Sequence, residues 1–548
     1  MNSLLRPFAY GLVVLLVAAA LPVQAQDPDE PGRAPDRTEG EGPYERLILR
    51  GATLIDGTGA PPVGPVDIVV EGDEIVAVES VGAPGRSIDS EDRPPTEGGR
   101  ELDLSGMYVM PGFVDAHVHQ HTRNTGQGVP VEYPHKLWMA HGITTMRDVG
   151  SGNGIEWLME HKRRSAADEI TAPRMEIYHV FGNDWEETIS TPEQSREWVR
   201  WVAKQGADGI KFFGAPPQIM KAALDEAEAQ SLRTAMHHAQ LDVTRVDALQ
   251  SASWGLTTME HWYGLPEALF TDRVVQDYPL DYNYNNEQHR FGQAGRLWKQ
   301  AAEPESDRWN TVMDSLLTLD FTMVPTFVTY LASRDLEAQM RRPWHSIYTL
   351  PSLWDFYRPS RDAHGSYWFY WTTEDEMAWK RNYELWMTFI NEYKNRGGRV
   401  AIGSDSGYIY NLYGFGYVQE MELMREAGFH PLEVLRAATL QGAEALGMAD
   451  EIGSVEVGKK ADFVVTEQNP LENLKVLYGT GWPKLMDDGT VERVGGVEYT
   501  IKNGIIYDAN GLLSDVREMV EAAKDERGLP AGPMPMFMET DSDWSDQQ

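Results

Sequence analysis

Short apolar runs alternate with amphipathic stretches along the middle of the chain, between residues 111 and 447. The apolar runs begin at Gly112, Gly142, Gly209 and Leu256, while residues 191–204 and 218–230 are helical candidates. Alternating strands and helices indicate a parallel sheet. This pattern continues for about 300 residues, which favours a (β/α)8, TIM-type barrel over an open sheet. The predicted fold class is therefore α/β.

The regions on both sides of this barrel carry short β-rich runs punctuated by Gly and Asp. They lie at residues 46–110 and 448–512, and we expect them to form one small β-sandwich domain from segments before and after the barrel. Residues 26–45 are rich in Pro, Gly, Asp and Glu, which predicts a disordered linker. Residues 513–548 are expected to form a C-terminal helix and an acidic tail.

The first 25 residues have the pattern of a secretory signal peptide. Arg6 supplies a positive charge, residues 10–21 form an apolar run, and Val23 and Ala25 are the small residues before a cleavage predicted after Ala25. The apolar run is short for a bilayer span; an uncleaved membrane anchor is the alternative. We therefore expect a periplasmic or secreted protein.

The composition narrows the classes of partner and of metal site. The chain has 48 basic and 84 acidic side chains, for a net charge of −36. Such a charge repels nucleic-acid phosphates and anionic lipids, so we expect neither nucleic acid nor membrane as a partner. The absence of Cys excludes disulfides, a cysteine nucleophile and thiolate zinc sites. Any metal ion must be held by His, a carboxylate or a modified side chain.

Two histidines follow the first apolar run of the barrel, in Asp115-Ala-His117-Val-His119. Because side chains alternate faces along a strand, His117 and His119 point the same way and can bind one metal ion. A surface pair of histidines is the alternative.

Lys211 stands inside another apolar run, Gly209-Ile-Lys-Phe-Phe. Burial of an ammonium without a partner is strongly unfavourable. Either this side chain extends to solvent, or it reacts with carbon dioxide to give an anionic carbamate that can bridge two metal ions.

Three further apolar runs end in ligating side chains: Thr234-Ala-Met-His237-His238, Thr257-Thr-Met-Glu-His261 and Val400-Ala-Ile-Gly-Ser-Asp405. Only one of His237 and His238 can face the barrel axis, and the small Ala235 favours His237. Taken singly, each is more often a structural residue. Together they close successive strands at the barrel end that carries catalytic groups. Their nitrogen and oxygen atoms suit zinc or a similar divalent ion.

Five longer stretches add to this pattern: Gly51-Ala-Thr-Leu-Ile-Asp-Gly-Thr-Gly, Val109-Met-Pro-Gly-Phe-Val-Asp-Ala-His-Val-His, Gly142-Ile-Thr-Thr-Met-Arg-Asp148, Ala438-Thr-Leu-Gln-Gly-Ala and Ile452-Gly-Ser-Val-Glu-Val-Gly-Lys-Lys-Ala-Asp-Phe. They resemble the amidohydrolase superfamily of metal-dependent hydrolases. The branch most resembled is the imidazolonepropionase-like group, which includes exported Xaa-Pro dipeptidases.

The resemblance implies two divalent metal ions, expected to be zinc. His117, His119 and Asp405 would hold one ion. His237 and His261 would hold the other, and N6-carboxylated Lys211 would bridge the two. The sequence leaves open whether one or two ions bind, because carboxylation of Lys211 is not encoded in it.

Two departures from the family pattern stand out. Ser404 precedes Asp405 where the family usually has Thr. His261 and Asp405 are 144 residues apart, where two βα units need only about 60. The surplus, an insertion at about 262–398, holds nine of the 17 Trp residues. It predicts either an aromatic substrate pocket or the core of an added helical subdomain or dimer contact.

We therefore predict an exported hydrolase that cleaves an amide or peptide C–N bond in a dipeptide or N-acyl amino acid. A metal-bridging hydroxide would attack, and catalytic Asp405 would pass its proton to the leaving amine. Tyr263 and His238 are candidate substrate-binding residues. An ester, lactone or phosphotriester hydrolase and a non-catalytic binding protein are the alternatives. The substrate is expected to be a small molecule or dipeptide, and a homo-oligomer is expected only by analogy.

Overall fold

The computed structural model describes residues 32–83, 85–86, 93–361 and 364–530. The predicted signal peptide and most of the predicted acidic tail lie outside these ranges. Within them, no helix has both the length and the apolar character needed to cross a membrane.

Strands in the described part of the chain form three sheets. In chain order they are β1 (Arg46–Leu54), β2 (Val63–Glu71), β3 (Glu74–Ser80), β4 (Arg100–Asp103), β5 (Tyr108–Pro111), β6 (Phe113–Val118), β7 (Ile143–Asp148), β8 (Arg174–Val180), β9 (Gly209–Phe212), β10 (Arg233–His237), β11 (Thr258–Glu260), β12 (Thr322–Val324), β13 (Arg399–Val400), β14 (Phe463–Thr466), β15 (Trp482–Leu485), β16 (Val491–Val494), β17 (Val497–Lys502) and β18 (Ile505–Asp508).

Helices connect each pair of successive strands from β6 to β14. In chain order the helices are α1 (Glu132–Met139), α2 (Ile155–Ala166), α3 (Pro192–Gln205), α4 (Pro217–Ala229), α5 (Ala248–Ser253), α6 (Leu265–Ala268), α7 (Glu287–Ala294), α8 (Asp307–Thr318), α9 (Leu331–Arg334), α10 (Leu336–Met340), α11 (His345–Tyr348), α12 (Pro351–Phe356), α13 (Thr373–Asn395), α14 (Phe415–Ala427), α15 (Pro431–Ala438), α16 (Leu440–Leu446) and α17 (Ala509–Glu526). Short 3₁₀ helices lie at Trp298–Gln300, Phe327–Tyr330 and Leu474–Leu477.

Eight parallel strands, β6 to β13, form one curled sheet in chain order. Every residue of β6, β7, β9 and β11 is buried, as expected for parallel strands that are covered on both faces. Two backbone hydrogen bonds join the ends of this sheet. The Ala116 N–H donates to Ile402 O at 2.9 Å, and the Asp405 N–H donates to His117 O at 2.8 Å. The predicted α/β class is confirmed, and the parallel sheet is curled.

The helices predicted at residues 191–204 and 218–230 are observed as α3 and α4. Helix α3 begins at Pro192 because Thr191 and Gln194 form a capping box, and it ends at Gly206, whose φ of 92° provides a left-handed C-cap. Such local signals explain why these two helices could be located from the sequence.

A second sheet of eight strands draws on both flanks of the barrel region. Its order is β18-β17-β14-β5-β1-β2-β3, and β4 also pairs with β1. The flanks meet where β14 pairs with β5, with Phe463 opposite Pro111. Strand β1 bends at Gly51 (φ 75°) and pairs with β4 before the bend and with β5 after it. Most of the strands expected as a β-sandwich are thus connected in one mixed sheet, while β15 and β16 pair with each other in a separate two-stranded sheet.

Residues 32–45 are ordered, contrary to the disordered linker predicted from their composition. Ala34 is 4% exposed, and its N–H donates to His161 Nε2 at 3.1 Å. Lys136 on α1 donates to Glu39 at 2.5 Å. Tertiary hydrogen bonds hold this polar segment, and composition alone does not reveal such bonds. Residues 26–31 lie outside the described ranges.

The long stretch between His261 and Asp405 is divided by β12, a strand of the curled parallel sheet. Between β11 and β12 lie 61 residues, and between β12 and β13 lie 74. The extra length is therefore two separate excursions and not one insertion. The sequence analysis missed β12 because a strand of three residues gives too short an apolar run.

Tryptophans from these excursions form a buried core. Five of them are at most 1% exposed, namely Trp262, Trp298, Trp309, Trp379 and Trp386. The Trp262 ring lies 6.1 Å from each of the Trp379 and Trp386 rings. These five side chains form a buried core, which is one of the two alternatives predicted for the aromatic residues of this stretch.

Candidate metal centre

All six predicted ligands line one cavity of about 460 Å³. They lie at or just beyond the carboxyl ends of the parallel strands, the end where barrel enzymes carry their active sites. Their positions are His117 in β6, His119 directly after β6, Lys211 in β9, His237 at the end of β10, His261 directly after β11, and Asp405 beyond β13. These six residues are called the ligand side of the cavity below.

His117, His119 and Asp405 form the tightest group on the ligand side. One ligand atom from each lies within 4.8 Å of the others. The Nε2 atoms of His117 and His119 lie 3.6 and 3.2 Å from Asp405 Oδ1. His261 Nε2 lies 3.8 Å from Oδ2 of the same carboxylate. Three imidazoles therefore converge on one carboxylate through the same ring nitrogen.

The other ring nitrogen, Nδ1, of each of these imidazoles is anchored. Its partner is Glu260 Oε2 for His117 (2.5 Å), Gly150 O for His119 (2.6 Å) and Thr326 Oγ1 for His261 (2.5 Å). Histidines that bind metal ions are held in this way, with the second nitrogen fixed by an outer partner. The donor set of imidazole nitrogens and a carboxylate fits zinc or a similar divalent ion.

Burial controls the protonation of these groups. It lowers the pKa of His117 to about 4 and the pKa of His261 well below its usual value, so both imidazoles are neutral and have a lone pair for a metal ion. Burial opposes ionisation of Asp405. Its interactions with His117, His119 and His261 outweigh burial and hold the pKa of this carboxyl far below its usual range.

Lys211 is 1% exposed, so it does not extend to solvent. In the part of the chain that the structure describes, its Nζ makes no hydrogen bond or ion pair and lies 5.4 Å from the centre of the Phe213 ring. Burial lowers the pKa of Lys211 to about 8. A carbamate forms from the neutral amine, and a lowered pKa increases the neutral fraction at physiological pH.

His237 and His238 point in opposite directions. His237 lines the cavity, with its ring centre 4.7 Å from that of His261. His238 is fully buried, and its Nε2 lies 2.8 Å from Ser251 Oγ on α5. The preference for His237 agrees with this arrangement. The prediction that His238 binds substrate is wrong, because side-chain alternation places it behind the strand.

Tyr263 also lies behind the cavity surface. It is fully buried, and its ring centre is 5.3 Å from that of His237 and 4.2 Å from that of Trp262. Among the described side chains, Tyr330 lines the cavity here and Tyr263 does not. Tyr263 therefore packs against a candidate ligand instead of facing substrate, which corrects the prediction for this residue.

A buried ion pair that the sequence analysis missed supports the ligand side. Arg147 on β7 donates to Glu260 Oε1 at 2.7 Å and to Ala116 O at 2.6 Å. Burial alone would raise the pKa of Glu260, but Arg147 and His117 outweigh it and hold this pKa far below its usual range. Glu260 thus faces His117 as a carboxylate. Two features of the sequence could have indicated this ion pair: Arg147 is a charged residue within an apolar strand, and Glu260 directly precedes His261.

Hydrogen bonds to Asp115 stabilise the turn that carries Asp405. The Asp115 carboxyl group accepts hydrogen bonds from the Ser404 N–H (2.8 Å) and the Ser404 hydroxyl (2.5 Å). The Ser404 hydroxyl therefore makes this contact directly. Asp405 itself has φ 46° and His261 has φ 62°. Such left-handed backbone at residues other than Gly is strained and concentrates at functional sites.

The opposite side of the cavity comes from the two excursions. Its residues, called the wall side below, are Tyr284, Arg290, Phe291, Tyr330 and His364. The tryptophans of the buried core are not among the residues that line this cavity. A larger cavity of about 650 Å³ lies between Trp344 and α17, but it contains no cluster of metal-ligating side chains among the described residues.

Comparison with known proteins links these features to a family. The model of the amidohydrolase family matches residues 108–276 and 386–541. Every residue of the ligand side lies within these ranges, and every residue of the wall side lies in the unmatched residues 277–385.

Individual relatives match shorter parts of the chain. N-acyl-D-aspartate deacylase from Alcaligenes xylosoxydans xylosoxydans is 26% identical over 281 residues, which are 50% of this chain and 46% of that protein. Imidazolonepropionase from Brevibacillus brevis is 38% identical over 87 residues, 16% of this chain and 17% of that protein. The chain thus matches less than half of the length of these relatives.

A solved structure extends the likeness to most of the fold. A Xaa-Pro dipeptidase with bound methionine in the active site aligns with a TM-score of 0.53 at 18% identity. The alignment covers 84% of this chain and all of that chain.

Proposed function

This chain belongs to the amidohydrolase family, and we propose that it is an exported, metal-dependent hydrolase that cleaves the C–N bond of a dipeptide or an N-acyl amino acid. Membership confirms the family predicted from the sequence and the class of enzyme, a hydrolase acting on carbon–nitrogen bonds. The names of the deacylase and dipeptidase relatives support the substrate classes.

One observation carries the metal-dependent part of the proposal. The Nε2 atoms of His117, His119 and His261 surround the Asp405 carboxylate at 3.2–3.8 Å, while each Nδ1 is anchored elsewhere. In the proposal, His117, His119 and Asp405 would hold one divalent ion, and His237 and His261 would hold the other. Lys211, carboxylated on Nζ, would be a ligand of both ions. Zinc is the proposed metal because its preferred ligands match this set.

When bound, the ions would supply a hydroxide at neutral pH and polarise the scissile carbonyl. The protein's own residues would handle the proton. Asp405 would take it from the attacking nucleophile and give it to the leaving amine, which leaves poorly unless it is protonated. General acid–base catalysis of this kind contributes about 10²- to 10⁴-fold. The buried surroundings of Asp405, which is 6% exposed, keep bulk water from competing.

We also propose that the curled sheet is a closed TIM-type barrel. The backbone hydrogen bonds from Ala116 to Ile402 and from Asp405 to His117 support closure between the first and last strands. Closure would fix the distance between the ligands on β6 and those beyond β13.

Export is proposed from the sequence of residues 1–25 alone. Amino-terminal sequencing of protein from the periplasm or medium is expected to begin at Gln26. A cytoplasmic protein that keeps Met1 to Ala25 would contradict this part of the proposal.

A substrate panel tests the activity directly. Zinc-loaded protein is assayed on N-acyl amino acids, dipeptides, esters, lactones and phosphotriesters. We expect turnover of C–N substrates that stops after chelation and returns when zinc is added. Faster turnover of an ester, lactone or phosphotriester would favour the alternative hydrolase. No turnover at full metal content would favour a binding protein.

A further inference from the structure

Arg290 is a cation on the wall side of the cavity that the proposed chemistry does not use. It lies on α7, lines the cavity, and its side chain is 13% exposed. The guanidinium is stacked on two aromatic rings, 4.6 Å from the centre of Tyr284 and 5.2 Å from that of Phe291. A stacked, mostly buried guanidinium is held in one orientation.

The hydrogen-bonding capacity of Arg290 is largely unused. Its Nε donates to Gln240 Oε1 at 3.1 Å. Nη1 lies 3.6 Å from Glu287 Oε1, which is beyond hydrogen-bond distance. Within the described residues, neither Nη atom donates a hydrogen bond, so four N–H groups face a cavity without an acceptor.

Glu287 does not satisfy this capacity, because its Oε1 lies 3.6 Å from Nη1 and its Oε2 has another partner. His364 Nδ1 lies 3.1 Å from Glu287 Oε2. Glu287 reduces the net charge near Arg290 without occupying the two Nη atoms. A buried guanidinium fork with free donors is a binding site for a planar, two-oxygen anion.

The fork is also close to the ligand side. The Phe291 ring, on which Arg290 stacks, lies 6.1 Å from the Tyr330 ring, and Tyr330 lies 5.6 Å from the His261 ring. Two aromatic layers thus separate Arg290 from a metal-ligating histidine. Because Arg290 and the ligand side line the same cavity of about 460 Å³, one small molecule in that cavity could contact both.

We propose that Arg290 binds a carboxylate of the substrate, so that the enzyme prefers N-acyl amino acids or dipeptides with a free carboxylate over their neutral amides. This inference rests on the proposed function, because that function places the scissile bond at the ligand side. The net charge of −36 repels anions from most of the protein surface, which leaves recognition of a carboxylate to a local cation. Arg290 comes from residues 277–385, which the family model does not match.

Kinetics on matched substrates tests the inference. N-acetyl amino acids and their C-terminal methylamides are compared in the wild type, Arg290→Gln and Arg290→Lys. We expect kcat/KM for the acids to fall about 10- to 100-fold in Arg290→Gln, as for loss of a charged hydrogen-bonded pair. The methylamides are expected to change less than about threefold. Arg290→Lys keeps the charge without the fork and should lose about tenfold.

A matched control distinguishes loss of carboxylate recognition from a general loss of activity. Arg273 lies on one of the same excursions and pairs with the adjacent Asp272 at 2.9 Å, outside the residues that line the cavity. Arg273→Gln is expected to keep the preference for acids over methylamides. If Arg290→Gln does not fold, Arg290→Lys decides the question with the same substrates.

A binding measurement makes the inference independent of turnover. N-benzenesulfonyl-phenylalanine and its methylamide, which are not hydrolysed as amides are, are titrated into zinc-loaded protein by calorimetry. We expect the acid to bind about 10- to 100-fold more weakly to Arg290→Gln. Binding of acid and methylamide that is equal in wild type and variant would overturn the carboxylate site, even if C–N hydrolysis is observed.

Two further outcomes distinguish failure of the proposed function from failure of the carboxylate site. Arg290-dependent binding of the acid without turnover of any C–N substrate would contradict the proposed function and retain the carboxylate site. Arg290-dependent binding of inorganic phosphate, with no effect of the variant on the acid, would identify the anion as phosphate and overturn the inference.

Discussion

The ligand side and the wall side of the cavity come from different parts of the chain and are held in different ways. On the ligand side, strand ends position each side chain, and outer partners such as Glu260 and Thr326 fix the rings. On the wall side, the cavity residues lie on short helices and turns and are held by ring packing, as Phe291 is by Tyr367 at 4.1 Å.

We therefore expect the two sides of the cavity to have different roles in the reaction. The strand-end residues lie in the part of the chain that the family model matches, so they are expected to set the chemistry that the family shares. The wall residues lie in the unmatched part and are expected to set the choice of substrate. Loops at the carboxyl end of a barrel vary in this way while the strands beneath them stay constant.

The largest effect is expected at the ligand side. Asp405→Asn should lower kcat by at least about 10²- to 10⁴-fold, because the side chain can no longer accept a proton and is a poorer metal ligand. Circular dichroism should show an unchanged fold. Asp225→Asn, which breaks a surface ion pair with Lys221 at 2.7 Å, is the control. Full activity of Asp405→Asn would contradict the assignment of Asp405 as the residue that transfers the proton.

Glu260→Gln tests whether anchoring of the ligands matters. We expect zinc affinity to fall about 10- to 100-fold, because His117 loses its charged partner. Stability should fall by about 3–5 kcal/mol, since Arg147 is left buried without its counter-charge. Zinc titration against a competing chelator and thermal unfolding measure the two effects.

Glu267→Gln is the matched control for Glu260→Gln. Glu267 is also buried, at 7% exposed, and accepts the Gly264 N–H at 2.9 Å, but it is not hydrogen-bonded to a ligand. Its variant should keep zinc affinity. If Glu260→Gln also keeps it, then the ligand side does not depend on its outer partners.

A change on the wall side should alter substrate choice and leave the metal site intact. Phe291→Leu is expected to change the ratio of kcat/KM between a large and a small N-acyl group by about tenfold, with unchanged zinc content. Phe389→Leu removes a ring that packs on Trp309 at 4.9 Å away from the cavity, and it should leave the ratio unchanged. Equal effects of the two variants would contradict a role of the wall in selectivity.

An effect on stability alone is expected at the 3₁₀ helix that carries the wall residue Tyr330. Glu420 on α14 accepts the N–H groups of Phe327 (2.9 Å) and Val328 (2.7 Å), and burial raises its pKa to about 8. A carboxyl whose pKa is raised in the folded state binds its proton more tightly there than in the unfolded chain. Stability should therefore fall as pH rises from about 4.5 to about 8, by at most about 1.4 kcal/mol per pH unit.

Thermal unfolding across this pH range measures the contribution of Glu420. Glu420→Gln is expected to flatten the decline that the wild type shows. A decline of the same steepness in both proteins would assign it to other groups.

The ligand side could be predicted from the sequence because its signals are local. His117 and His119 alternate on one strand, and Asp405 ends an apolar run, so strand geometry alone brings them to one face. The small Ala235, two residues before His237, favoured His237 over His238 as the residue that faces the axis, and His237 lines the cavity. Parallel strands then bring together residues that are far apart in the chain, as the fold class requires.

The wall side could not be predicted in this way. Arg290 reaches the cavity from a helix of eight residues, and nothing in its sequence neighbourhood indicates which cavity it faces. The hydrogen bond between Glu260 and His117 spans 143 residues. Residues 32–45 have the composition of a disordered segment, yet a buried contact at Ala34 holds them. Such contacts depend on tertiary packing and not on local pattern.

Metal content is the most direct test of the central claim that Lys211 joins two metal ions in this cavity. Elemental analysis would compare the wild type with Lys211→Ala and with Lys221→Ala, a surface control, all purified without chelators. The account predicts two ions per chain in the wild type and in Lys221→Ala, and one or none in Lys211→Ala. One ion in every protein would contradict the bridge, and no metal in any of them would contradict the metal centre itself.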